Sequence, residues 1–345
     1  MKSLQPKQNA RIIHNFTRFF LLLGVLSLGP LALGQSKPYP AGIVRFFSTK
    51  VSSPEDDPSW NNANLDGVRL RPIWSDLAPS RGVYDWSSVD KIFDIAAQHG
   101  KFVGLSVSAG LYAPQWVYDA GAYKYTILGG DEQGNSMTLP WDPVFQHKWL
   151  PFVREMGRRY DGNPSLRYVV MSGMSQNLET NLSGSAADDV ALTALGGIPA
   201  WITAAEQIIS VYATAFPTTP FFITASRVFT NDYDQVALKA VIEWAVATYP
   251  GRFGIMNTTL NALSDTGYYP NEAIYTYRDT QPVGFQMLVS SIKDPQRLRG
   301  TLDQALSAGV ALGGEYVEVY QSDADAPVNQ PVLARQGDAL EANVP

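Results

Sequence analysis

Residues 139–179 read LPWDPVFQHKWLPFVREMGRRYDGNPSLRYVVMSGMSQNLE, and the order of patterns in this stretch decides the fold class. Asp142 suits an N-cap, and Pro143 suits the first helical position, where a missing N–H costs nothing. Phe145, Trp149, Phe152, Val153, Met156 and Tyr160 recur at helical spacing, with Lys148, Arg154, Glu155, Arg158 and Arg159 on the other faces. Pro151 interrupts the pattern, so a kink or two successive helices is expected. Asp161-Gly162-Asn163-Pro164 ends the helix, and 166–171 is an apolar run of strand length. A polar loop with Asn177 and one carboxylate, Glu179, follows. Helix, tight turn, buried strand and polar loop form the repeating unit of a parallel α/β protein, whose chemistry sits beyond the carboxyl ends of the strands.

The unit of helix, Arg159-Tyr160, Asp161-Gly162-Asn163-Pro164, strand and acidic loop resembles the fourth βα unit of the (β/α)8 glycoside hydrolases, the β-galactosidase and cellulase superfamily in particular. A second piece, Val68-Arg69-Leu70-Arg71-Pro72-Ile73-Trp74 followed by Pro79, Gly82, Tyr84 and Trp86, is similar to that superfamily's second strand and the segment after it. The resemblance implies a single-domain (β/α)8 TIM barrel acting on carbohydrate, with no cofactor. Ala78 departs from it, because several relatives place a Glu before the Pro equivalent to Pro79.

Residues 1–34 have the pattern of an export signal. Lys2, Lys7, Arg11 and Arg18 precede the apolar run 19–33, and Ala32-Leu33-Gly34 suits a signal peptidase. A retained anchor is the alternative, weakened by the shortness of the run and by Pro30. Removal of these four cations makes the formal charge of −6 more negative, which argues against nucleic acid as a partner. The expected location is secreted or periplasmic, with no membrane association after cleavage. Cysteine is absent, excluding thiol chemistry, disulfides and thiolate metal sites. Past the leader only His99 and His147 remain, so a Ser-His-Asp triad or a His-rich metal centre is not expected. Any chemistry must rest on carboxylates, tyrosines or amides.

Eight strand candidates, 41–47, 68–73, 102–107, 167–171, 221–225, 253–257, 283–289 and 316–320, alternate with helix candidates including 88–99, 198–216, 234–249 and 295–308. That alternation argues for a closed barrel over 35–326. Residues 327–345 are polar and Pro-bearing and read as a loose tail. The long segment 108–140 after the third strand carries Tyr112, Trp116, Tyr118, Tyr123, Tyr125, Asp131 and Glu132, with Trp141 just beyond. Its aromatics either stack on sugar faces or pack the loop onto the barrel. Residues 177–197 and 258–271 add further loops that would wall a cleft.

Glycoside hydrolysis needs two carboxyl groups. The resemblance makes Glu179 the general acid/base, although Leu178 separates it from Asn177, where the family commonly has the pair adjacent. The family's nucleophile, a Glu ending strand seven, corresponds here to Gln286, an amide unable to attack. On strand eight, the two-residue period puts Tyr316, Glu318 and Tyr320 on one face and Val317 and Val319 on the other. Glu318 is therefore the remaining second carboxylate, either catalytic or tied into a buried network with Arg69 and Arg71. Asp323 and Asp325 are weaker candidates. Arg71, Trp74, Trp116, Trp141, Asn177, Asn257, Gln286 and Tyr320 are the expected substrate contacts, with an oligo- or polysaccharide as partner. Gln286 also supports a rival reading, a catalytically inactive barrel that binds a glycan or another partner.

Overall fold

The computed structural model describes residues 36–345, apart from 49 and 51. The leader expected at 1–34 lies outside the described residues. Eight parallel strands close into a barrel in chain order: β1 Gly42–Phe47, β2 Gly67–Leu70, β3 Phe102–Leu105, β4 Leu166–Val170, β5 Phe221–Thr224, β6 Phe253–Leu260, β7 Val283–Met287 and β8 Tyr316–Val319. β8 pairs with β1, Glu318 lying opposite Val44, and no barrel edge is left unpaired. All eight strands expected from the apolar runs are present.

The interior is filled by alternating large and small residues. Tyr168 and Tyr316 pack with ring centroids 4.9 Å apart, and Phe222 meets each ring edge-on at 5.5 Å. Neighbouring strands make room for them with glycine. A Cβ at Gly104 would lie 2.2 Å from the Tyr168 ring, and one at Gly284 would lie 2.1 Å from the Tyr316 ring. Tyr316 and Glu318 face this interior, while Val317 and Val319 join the larger core between strands and helices, as the parity of strand eight requires.

The helix that opens the deciding stretch runs Pro143–Tyr160 as one element with Pro151 inside it, rather than as two. The Asp142 carboxylate accepts from the Phe145 amide at 2.7 Å, as expected of an N-cap. Its apolar face meets the second motif directly. Trp74 lies 4.9 Å from Trp149, and Trp86 stacks on Phe152 at 5.2 Å. The two sequence segments that carry the family resemblance thus share one aromatic cluster.

Two expectations are corrected. The helix expected over 295–308 is divided into Pro295–Leu298 and Leu302–Ala311. Arg299 adopts a left-handed φ of 65°, and Thr301 then starts the second helix through a capping box with Gln304. The tail expected at 327–345 is ordered instead: Gln330–Glu341 is a helix that packs on β1 and β8, with Leu333 and Leu340 fully buried. Those two leucines, seven positions apart on one helical face, outweigh the polar composition around them.

Glu315, at the foot of β8, has no exposed surface, and neither of its carboxylate oxygens has a hydrogen-bond partner among the described residues. Burial raises its pKa from 4.5 to about 9. The unfolded chain gives up this proton above about pH 4.5 while the folded chain keeps it. Stability present at lower pH is therefore lost as the pH rises toward about 9, on the order of 3 kcal/mol by pH 7. Glu315→Gln should flatten the fall in thermal midpoint across that window and melt higher than wild type at its alkaline end. A wild-type midpoint that does not fall across it would refute this account.

Candidate active site

Beneath the carboxyl ends of the strands lies a buried polar layer organised by Arg69. Its guanidinium ion-pairs with Glu318, donates to the Gln286 side-chain oxygen at 3.1 Å, and donates through Nε to Ser106 at 3.2 Å. The Tyr168 hydroxyl donates to the other Glu318 oxygen at 2.8 Å. The Gln286 amide nitrogen donates to the Tyr320 hydroxyl at 3.3 Å. Burial pushes the Glu318 carboxyl above its ordinary range, with Arg69 and Tyr168 holding it back. Burial works against the Arg69 charge too, but Glu318 outweighs it and leaves the guanidinium pKa raised.

Above this layer stands Glu179. Its backbone bridges to Thr224 at the end of β5, and the next amide, Thr180, donates to the Thr224 carbonyl at 3.0 Å. Leu178 and Thr180 are buried, so the alternation turns the half-buried Glu179 the other way, into a groove of about 370 Å³ shared with Asn177, Asp131 and Glu132. Asn177 brings a side-chain oxygen that has no partner among the described residues. Arg71, two residues on from Arg69 and just past the end of β2, donates to Ser108 at 3.3 Å. Burial lowers its pKa, and Glu179 is the charge that most opposes this. Glu179 and Arg71 are therefore an electrostatically coupled pair at the mouth.

The groove wall is a hairpin in the long segment after β3, Lys124–Thr126 paired with Ser136–Thr138. One carboxylate, Asp188, fixes it. Fully buried, Asp188 accepts from the Tyr125 hydroxyl at 2.6 Å, the Leu128 amide at 2.8 Å, the Gly129 amide at 3.2 Å and the Ser185 hydroxyl at 2.6 Å. Burial works against this charge, but the hydrogen bonds from Ser185, Tyr125 and the two amides outweigh it and lower the pKa. Sequence reasoning passed over Asp188. Its one local signal was its place three residues after Ser185, which caps the helix Ala186–Ala194.

The structure separates the expected site residues. Glu179 and Asn177 line the groove at the mouth, and Arg71 and Tyr320 line a separate pocket of about 300 Å³. Glu318 faces inward as expected, but it has no exposed surface and both its oxygens are taken. It is the counter-ion of Arg69, not a second carboxylate open to substrate. Arg71, which shares that strand face, does not bond to it among the described residues. Gln286 is 8% exposed and occupied by Arg69 and Tyr320. Trp74 is fully buried in the aromatic cluster of the helix layer. Asn257 is buried as well, donating to Asn271 at 2.8 Å and accepting from the Thr259 amide at 2.7 Å. Trp116 donates to the Ala78 carbonyl at 2.8 Å and Trp141 to that of Leu195 at 2.9 Å, and neither lines these cavities. Asp323 is buried against Ser291. Asp131 and Glu132, noted in the sequence only as loop acids, are the carboxylates that share the Glu179 groove.

Asp188→Ala would leave the Tyr125 hydroxyl and two loop amides without their acceptor, a loss of roughly 3 kcal/mol. Proteases should then cut within 124–138 well before the barrel unfolds, and the thermal midpoint should drop. Unchanged cleavage of the hairpin in a time-resolved digest would show that Asp188 does not anchor it.

Comparison with known proteins agrees with the barrel fold. A family model described as beta-galactosidase, glycoside hydrolase 42, matches residues 54–177, which include the second-strand segment and the helix and strand of the fourth unit but end before Glu179. No curated protein sequence matches. Among solved structures, the beta-galactosidase of the psychrophilic Marinomonas ef1 superposes with a TM-score of 0.53 at 11% identity, over 86% of this chain and 59% of that one. The polyextremophilic beta-galactosidase of the Antarctic haloarchaeon Halorubrum lacusprofundi gives a TM-score of 0.56 at 10% identity, over 87% of this chain and 58% of that one. The chain therefore corresponds to less than two thirds of either structure. With eight parallel strands closed in a barrel, a family match over residues 54–177 that spans β2 to β4, and these structural likenesses, the chain has the (β/α)8 barrel fold seen in these beta-galactosidases.

Proposed function

We propose that the protein hydrolyses a glycosidic bond of an oligo- or polysaccharide held across the barrel mouth, with Glu179 as the proton donor. The observation that carries this reading is the placement of Glu179 at the end of β5, half-buried and in one groove with Asn177, Asp131 and Glu132. A glycosidase needs an acid on the leaving oxygen and a second carboxylate for the nucleophile or the water. Gln286 removes the strand-seven nucleophile, and Glu318 is consumed by Arg69. The second carboxylate is then one from the hairpin, Asp131 or Glu132, acting as base on a water, a route that inverts the anomeric centre. Asn177, whose side-chain oxygen has no partner among the described residues, supplies a polar contact to the sugar in the Glu179 groove, and Arg71 is the cation whose charge Glu179 supports.

Glu179→Gln keeps the shape and removes the transferable proton. On a glycan with a poor leaving group, kcat/KM should fall about 10²–10⁴-fold, whereas an aryl glycoside with a good leaving group should suffer much less. NMR of the first product formed by wild type should show the inverted anomer. Equal turnover by mutant and wild type would remove Glu179 from the reaction.

The fixed amide of Gln286 supports a second reading, a glycan-binding barrel without turnover. Retained binding across a glycan panel, with no product from wild type, would select it.

The basic and apolar residues 1–34 support export, and action outside the cytoplasm is part of the proposal. Mature protein should begin near Gln35. N-terminal sequencing that returned Met1 would overturn this. No helix among the described residues is long and apolar enough to cross a membrane.

A further inference from the structure

The groove at Glu179 does not end there. Asn181 and Ser183, on the segment after β4, line both that groove and a larger cavity of about 610 Å³ over the ends of β5 and β6. Each cavity falls within the size range of small-molecule sites, so the two joined exceed what one or two sugar rings would fill. Tyr233 stands at the larger cavity with 79% of its surface exposed, and Tyr268 with 37%. A tyrosine ring left in water has no role in the core. Arg227 lies 5.3 Å from the Tyr233 ring centroid and steadies that ring from one face. Gln235 also lines the cavity. It is 7% exposed, its side-chain oxygen has no partner among the described residues, and its backbone takes a left-handed φ of 54°. Strained conformations at non-glycine residues persist where the surroundings enforce them, and they cluster at ligand sites.

The chemistry of this cavity selects its ligand. Two cationic and two anionic residues line it, so it carries no net charge to draw a polyanion. Exposed aromatic faces beside hydroxyl and amide groups suit the apolar face and polar rim of an uncharged pyranose. We infer that the cavity at Tyr233 and Tyr268 is a distal binding region for the same glycan chain, and that the substrate is an extended neutral polysaccharide crossing from Glu179 over Asn181 to Tyr233. The inference rests on the carbohydrate reading above and adds to it the length and charge of the substrate. A chain lying across both cavities is cut internally. A terminal residue bound at Glu179 alone would leave the distal region empty.

Chain-length dependence tests this. Purified protein is titrated calorimetrically with β-1,4-linked galacto-, xylo- and cello-oligosaccharides of two and six units, as wild type and as Tyr233→Ala. That side chain is exposed and outside the Glu179 groove, so its removal should leave folding intact. In the series that binds, the hexamer should bind about tenfold or more tighter than the dimer. Tyr233→Ala should erase most of that advantage and leave dimer affinity unchanged. Equal affinity for dimer and hexamer in wild type would overturn the distal region while keeping the carbohydrate reading. So would an equal loss for both lengths in the mutant. Absence of binding by every series would overturn both. Oligogalacturonides of the same lengths form a further arm, and tighter binding of the acidic hexamer than of any neutral one would overturn the uncharged assignment.

Discussion

A single guanidinium in the barrel interior sets the terms for everything above it. Arg69 is fully buried, and a buried cation is costly unless it is paired and hydrogen-bonded. The protein answers with groups from several strands: Ser106 after β3, Gln286 on β7 and Glu318 on β8, with Tyr168 of β4 completing the carboxylate. The layer ties distant strands into one register and separates the aromatic floor of the barrel from the polar mouth. Removal of one charge from such a pair leaves the other stranded, at roughly 3–5 kcal/mol.

That layer also explains the amide at position 286. Gln286 and Glu318 are direct neighbours across β7 and β8, and both accept from the same arginine nitrogen. A carboxylate at 286 would set two anions against one buried cation, and like charges that close push one pKa up sharply. With the amide, Arg69 and Glu318 neutralise each other and Tyr320 receives a donor. An amide at this position cannot serve as a carboxylate nucleophile. Among the described residues, the groove at Glu179 holds that carboxylate on the β4–β5 side together with two acids from the hairpin, Asp131 and Glu132.

The mouth depends on loops more than on strands. Asp188 draws Tyr125, Leu128 and Gly129 of one long loop onto the loop after β4, and Asn181 and Ser183 on that same loop continue the groove toward Tyr233. A rigid barrel carrying site-forming loops allows chemistry to vary while the fold stays constant. The likeness to beta-galactosidases at 10–11% identity is one of fold.

Much of the fold was legible because it depends on local pattern. Strand-length apolar runs alternating with amphipathic helices locate all eight strands, Asp142 and Pro143 mark a helix start, and the two-residue period turns Glu318 inward. The amide at Gln286 was visible as well, but as a departure only through the family resemblance, which sets a Glu at the end of strand seven. What a residue does once it faces inward was not legible, because that depends on partners far away in the chain. Glu318 is closed off by Arg69, 249 positions earlier, and by Tyr168, 150 positions earlier. Trp74 is sealed by a helix that begins at Pro143, and the last helix is held by two leucines against strands it never adjoins in sequence. The sequence by itself determined the barrel, the inward side of strand eight and the amide at position 286. Only tertiary structure decided which inward groups remain open, because burial and charge pairing are set by side chains that the closed barrel brings together.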